Sequence, residues 1–254
     1  MSILKRLTRG LVNHGPLPPK GAVGARAYAV GDIHGRLDLL DDLLAKIEAD
    51  ATSRAPKKTF IIFLGDLVDR GPDSSGVVER LRTYRPPFGR PIFLAGNHEE
   101  VLIRLLRGER GILDSWLRFG GKECADSYGI EADSLKRVEE QEALRILASQ
   151  VPRGHAEFLE SFADTFRFGD YLFVHAGIRP GIALDDQVHS DLRWIRDPFL
   201  SDVKEHGFVV VHGHTIVDGV EERPNRIAID TGAYRTGILT ALAIEDDERW
   251  FLST

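Results

Sequence analysis

The chain has 254 residues, 43% hydrophobic and 28% charged, with a formal net charge of −6 at pH 7. This suits one substantial globular domain with its own core, and the acidic balance argues against non-specific nucleic-acid binding. One cysteine, Cys124, excludes an intramolecular disulfide framework and points to a reducing compartment, here the cytoplasm.

No stretch is long and apolar enough to span a bilayer, so no membrane partner is expected. Residues 1–24 carry Lys5, Arg6 and Arg9, then Pro16, Pro18, Pro19 and several glycines. They lack the apolar run of about 7–15 residues of a signal peptide. They read as a flexible tail ahead of a domain over 25–254, with a short amphipathic anchor on Ile3, Leu4, Leu7 and Leu11 as the alternative.

Residues 26–32 form a short apolar run ending in turn residues and predict a buried strand. Over 37–49, Leu39, Leu40, Leu43, Leu44 and Ile47 recur at helical spacing. A second buried strand is predicted over 59–64, a helix starting near 72–75 and running through 77–84, and a third strand over 91–95. Alternation of this kind predicts βαβαβ and a mainly parallel sheet. From 99 to 163 helical segments dominate, at 99–107, 112–119, 134–149 and 154–162, and read as a helical insertion or cap. Residues 166–168 and 171–175 flank Gly169-Asp170 as a hairpin. Strands are predicted again at 208–211, 226–230, 238–244 and 249–252.

The chemistry gathers where strands end. Gly31-Asp32-Ile33-His34-Gly35 follows the first strand, Gly65-Asp66-Leu67-Val68-Asp69-Arg70-Gly71 the second, and Gly96-Asn97-His98-Glu99 the third. His175-Ala-Gly177 and Gly213-His214-Thr215 follow two later strands. Ligands of parallel α/β sheets bind beyond the carboxyl ends of strands, so five such ends can converge on one pocket. Oxygen and imidazole donors without thiolate suit Mn²⁺, Fe or Zn²⁺. Two ions about 3.5–4 Å apart can share a bridging carboxylate and a water of lowered pKa. Arginines there can hold phosphate oxygens with planar, permanently charged forks.

These blocks resemble those of the metallophosphoesterase superfamily, and within it the phosphoprotein phosphatase branch, from about 28 to 240. The similarity is to compact bacterial and phage serine/threonine phosphatases. It implies an α/β/β/α sandwich of two mixed sheets with the helical insertion, and two divalent metals, Mn first with Fe or Zn as alternatives. By the same resemblance Asp32 and His34 hold one metal, Asp66 bridges, and Asn97, His175 and His214 hold the other. Arg70 binds phosphate, His98 protonates the leaving alkoxide, and Asp69 orients His98. A second phosphate-binding arginine is placed at Arg196 in Trp194-Ile195-Arg196, with Arg193 as the alternative.

The implied activity is hydrolysis of phosphate monoesters, with phosphoserine or phosphothreonine proteins as partners, by attack of a metal-bridging hydroxide. Symmetrical diadenosine tetraphosphatases share the ligand set and resemble the Asp230-Thr-Gly-Ala233 region, which leaves dinucleoside polyphosphate as the alternative substrate. Their pattern lacks an aspartate at position 69 and has Asp rather than Glu at position 99. Nucleases of the wider superfamily lack the Asp69-Arg70 pair, and a dead phosphatase acting as a binding module would have lost a ligand position. Elsewhere Cys124 reads as a packing residue, and His14, His155, His189 and His206 as surface groups. His212 reads as a packing or hydrogen-bonding neighbour of the site, Glu139, Glu140 and Glu142 as a solvated helix face, and Tyr234 as either pocket rim or surface turn. Oligomeric state is not legible.

Overall fold

The computed structural model describes residues 18–254. The expectations on Ile3, Leu4, Leu7, Leu11 and His14 lie outside the described residues. Strands β1 (Ala25–Val30), β2 (Lys58–Phe63) and β3 (Arg90–Phe93) run parallel, linked by α1 (Leu37–Ser53) and α2 (Ser74–Arg82). Helices α3 (Asn97–Leu106), α4 (Leu113–Trp116), α5 (Lys122–Ser127), α6 (Glu140–Gln150) and α7 (Arg153–Glu160) follow. A second sheet then forms from β4 (Thr165–Phe168), β5 (Tyr171–Val174), β6 (Val209–His212), β7 (Glu221–Glu222) and β8 (Arg226–Ala228), with α8 (His189–Trp194) between β5 and β6. After α9 (Ala233–Thr236) the chain returns to the first sheet through β9 (Thr240–Glu245) and β10 (Glu248–Ser253). The sheet orders are β10-β9-β1-β2-β3 and β4-β5-β6-β8-β7, both mixed.

Strand periodicity explains the layers. In β1, Ala25, Ala27 and Ala29 face the second sheet, while Tyr28 and Val30 face the helices. In β2, Phe60 and Ile62 point between the sheets and Ile61 and Phe63 point outward. Phe168, Tyr171, Phe173, Val211 and Ile227 meet them from the other sheet. Small alanines let the sheets close on these aromatic rings. Leu172, Val174 and Val210 pack outward on Leu192, Ile195 and Phe199. Helix, sheet, sheet and helix layers follow, as expected.

The helical insertion shares one buried cluster with the first sheet: Leu102, Leu105, Trp116, Leu135, Leu144 and Leu147 lie with Tyr28, Ile61 and Phe63. Two of its predicted helices are interrupted. The segment expected at 112–119 is α4 followed by a kinked π-turn, Leu117–Gly121, in which Phe119 and Gly120 leave the helical conformation and Gly120 adopts φ 110°. The one expected at 134–149 splits into a 3₁₀ turn, Ala132–Lys136, and α6. Ala132 and Leu135, three residues apart, are both buried, which a three-residue turn satisfies directly. Residues 20–22, counted with the tail in the sequence, bond to the body: Lys20 N donates to Asp170 Oδ2 at 2.8 Å and Gly21 N to Asp246 O at 2.6 Å. His155, expected at the surface, is buried between Tyr128 Oη and Glu79 Oε2, each 3.0 Å away. No helix among the described residues is long and apolar enough to cross a membrane.

Candidate metal centre and catalytic site

Asp32 and His34 follow β1, Asp66 follows β2, Asn97 opens α3 after β3, and His175 and His214 follow β5 and β6. All six are buried. Two clusters form among the described residues, His34–Asp66–His98 and Asp66–His175–His214, each with ligand atoms within 4.8 Å of one another. Asp66 belongs to both. Its Oδ2 lies 3.6 Å from His34 Nε2 and its Oδ1 3.4 Å from His175 Nε2. Asp32 joins through its carboxylate: the backbone N of His214 donates to Asp32 Oδ2 at 3.0 Å.

The donor set fits cations. His34 Nδ1 donates to Val68 O at 2.8 Å and His175 Nδ1 to Leu64 O at 2.9 Å. These bonds fix the tautomer and turn each Nε2 lone pair into the site. His175 Nε2 then faces Asn97 Oδ1 at 3.0 Å, and His214 Nδ1 stands 2.8 Å from the same oxygen. Asp32 Oδ1, His34 Nε2 and His214 Nε2 are buried without a hydrogen-bond partner. Burial pushes the histidines toward the neutral form that binds metal, His214 down to about 3. Burial, then the nearby carboxylates of Asp230 and Asp66, push Asp32 up, and burial pushes Asp230 up to about 6. Asp66 is held low, the surrounding imidazoles, led by His175, outweighing its burial. Three buried carboxylates and lone pairs facing lone pairs form an electron-rich pocket that divalent ions would neutralise.

Backbone strain marks the same place. Six non-glycine residues among those described have positive φ, and five are His34, Asp66, Asp69, Arg70 and His214, between 47° and 71°. Each such conformation costs on the order of 1–3 kcal/mol and persists where surrounding bonds over-determine it. Glu99 supplies them for the second block: its fully buried carboxylate accepts from Asp66 N, Leu67 N, Val68 N and Gly96 N at 2.8, 2.8, 3.4 and 3.0 Å. Gly213 is required because a Cβ there would collide with Asp32 Oδ1.

Beside these clusters stands a histidine–aspartate pair. His98 Nδ1 lies 2.6 Å from Asp69 Oδ2, and Arg70 Nη2 donates to His98 Nε2 at 3.0 Å. The Asp66 and Asp69 carboxylates raise His98 against its burial. Arg70 also sits 4.9 Å over the Tyr234 ring, which packs edge-on to His34 at 5.4 Å, so Tyr234 is on the rim of the site. A cavity of about 400 Å³ opens onto the pair. Arg70, Asn97, His98, Arg196 and His214 line its polar part, and Trp116, Phe119 and Trp194 its apolar wall. Arg193 turns away, paired with Asp164 at 2.7 Å and Glu100 at 3.2 Å. His212 packs on Phe199 at 5.1 Å and belongs to neither cluster.

Trp116 and the π-turn were not singled out from the sequence as parts of the site, and Glu99 and Asp230 were named within its blocks without a role. For Glu99 a signal existed, a glutamate three residues into a helix after a glycine N-cap. Asp230, at the end of β8, repeats the aspartate-at-strand-end pattern of Asp32 and Asp66.

The family model described as calcineurin-like phosphoesterase matches residues 25–238. Serine/threonine-protein phosphatase 2 of Salmonella typhimurium strain LT2 is 29% identical over 227 residues, covering 86% of this chain and 92% of the relative. The symmetrical bis(5'-nucleosyl)-tetraphosphatase of Legionella pneumophila strain Corby is 27% identical over 270 residues, covering 88% and 95%. A crystal structure described as a candidate diadenosine tetraphosphatase shares the fold with a TM-score of 0.64, 23% identity and coverage of 91% and 94%.

Proposed function

Because the chain belongs to the calcineurin-like phosphoesterase family, whose members hydrolyse phosphate esters with divalent metals, we propose that it is a binuclear phosphomonoesterase acting on phosphoserine and phosphothreonine proteins. Asp32, His34 and Asp66 would hold one cation and Asp66, Asn97, His175 and His214 the other. Oxygen and imidazole donors favour Mn²⁺, with Fe or Zn²⁺ as alternatives. When bound, such a pair supplies Lewis acidity and a water acidic enough to be deprotonated near neutral pH.

The chain's own groups do the rest. Arg70 and Arg196 bind the phosphate oxygens, and their fixed charge offsets that gathering on the transferring group. Binding of phosphate draws Arg70 off His98 Nε2, which then takes up a proton from solvent. The imidazolium gives that Nε2 proton to the leaving oxygen as the P–O bond breaks, so the product departs as an alcohol. Asp69 stabilises the imidazolium before that transfer. The observation that carries this reading is the His98–Asp69 contact beside Arg70, a device for protonating poor leaving groups such as serine alkoxide. The phosphatase-named relative supports it. The single cysteine, free and buried, supports a cytoplasmic location.

A second reading, hydrolysis of dinucleoside polyphosphates, draws on the Legionella relative and on Phe119 and Trp194, exposed aromatics on the cavity wall. Initial rates with Mn²⁺ on phosphoserine and phosphothreonine peptides, p-nitrophenyl phosphate and diadenosine tetraphosphate separate the two. Turnover of the peptides without the dinucleotide is expected. The reverse pattern replaces the first reading with the second.

A further inference from the structure

We infer that Trp116, with the π-turn that follows it, is a positioning device for the general acid: the helical insertion holds Asp69, and through it His98, in the protonating geometry. The inference rests on the assignment of His98 as the acid.

Trp116 comes from the insertion, far in sequence from Asp69, and is almost fully buried. Its indole Nε1 donates to both carboxylate oxygens of Asp69, at 3.1 Å each. Asp69 is itself wholly buried. Its Oδ2 faces His98 Nδ1, and its backbone N donates to Ser74 Oγ at 2.9 Å. The Cys124 thiol is packed near it. A carboxylate at positive φ, with a neutral N–H donor spanning both oxygens, has its plane fixed, and with it the imidazole ring beyond.

The π-turn locks this arrangement from behind. Gly120 O accepts from Arg70 N at 2.9 Å, and a Cβ on Gly120 would meet Arg70 N at 2.6 Å. A Cβ on Gly121 would collide with the Trp116 indole. Gly121 has an ordinary helical φ of −69°, so only the indole demands glycine there. The kinked turn therefore brings two small residues against two parts of the site, the phosphate arginine and the support of the acid. Trp116 also lines the substrate cavity, so the wall that meets the leaving group is the same side chain that orients its proton donor.

The test uses leaving groups of different basicity. An alkyl phosphate needs the proton from His98, whereas p-nitrophenolate, whose conjugate acid has a pKa of about 7, needs it far less. In the Mn²⁺-loaded full chain, Trp116→Phe removes the N–H and keeps the ring. Its kcat on phosphoserine peptide is expected to fall roughly tenfold more than on p-nitrophenyl phosphate, with KM and metal content near wild type. Gly121→Ala, which displaces the indole without touching Asp69, should give the same selective loss. On an Asp69→Asn background Trp116→Phe should add little, since both act through one carboxylate. Equal losses on both substrates, or additive losses on that background, overturn the positioning role and leave Trp116 a packing residue. If His98→Ala itself shows no leaving-group selectivity, the assignment of the acid fails first, and that outcome is distinct from selectivity in His98→Ala alone.

Discussion

At the scale of single residues, Arg196 and Arg193 show how position overrides chemistry. The two side chains are alike in charge and separated by only two residues, yet Arg193 is tied to Asp164 and Glu100 while Arg196 lines the cavity beside His214. Arg196→Ala should lower kcat/KM for phosphate esters by on the order of 10²-fold, the loss of one charge-assisted clamp. Metal stoichiometry, measured by elemental analysis, should stay unchanged. Metal loss in that variant would make Arg196 part of the ligand support instead. Glycine-flanked Asp, His and Asn blocks were legible because metal ligation demands particular atoms and the turns around it demand glycine. Trp116 was not, because an aromatic at helical spacing usually signals packing, and only the fold reveals that its N–H meets a buried carboxylate.

At the scale of elements, the site is a set of strand-to-helix loops held in strained conformations, and Glu99 at the start of α3 is what holds the second of them. Its carboxylate satisfies the backbone N–H groups of Asp66, Leu67 and Gly96, and burial pushes it up to about 7. Glu99→Ala should destabilise the protein by about 2–4 kcal/mol through unsatisfied buried donors, read as a lower urea midpoint. An unchanged midpoint would show that the loop after β2 supports itself. The regular elements were legible from periodicity: alternation in β1 and β2, and the 3.6-residue stripe of α1. The π-turn and the break before α6 were not, because both arise where the insertion bends to meet α2, α3 and Arg70, contacts remote in sequence.

At the scale of the whole molecule, electrostatics link the site to stability. Asp32, Asp66 and Asp230 repel one another in a buried pocket, so the metal-free protein carries a cost that bound cations relieve. Chelation should lower the melting temperature, and added Mn²⁺ should restore it in a concentration-dependent way. A melting temperature indifferent to both would mean the pocket binds no such ion tightly. Far from the site, Arg26 is buried in β1 and ties the chain together through Ala51 O, Ala55 O and Glu245. Burial raises the Glu245 carboxyl, but Arg26 and Lys57 outweigh it and hold its pKa below the ordinary 4.5. That stability is fully present above pH 4.5 and is lost as pH falls through the lowered value. Glu245→Gln should therefore lower the urea midpoint at pH 7, and the gap to wild type should narrow as the pH is taken progressively below 4.5. A gap independent of pH would assign the loss to packing.

By itself the sequence determined the alternation of strands and helices and the types of ligand, while the sandwich of layers came from the family resemblance. Apolar periodicity is a local property that follows from where a strand or helix must face oil, and metal chemistry restricts the residues a ligating turn can hold. Only the tertiary structure decided between Arg196 and Arg193 as the arginine that enters the cavity, and that an indole from the insertion reaches Asp69. Those relations join residues far apart in the chain, and their distances depend on how two sheets and a helical layer close on one another, which no local pattern encodes.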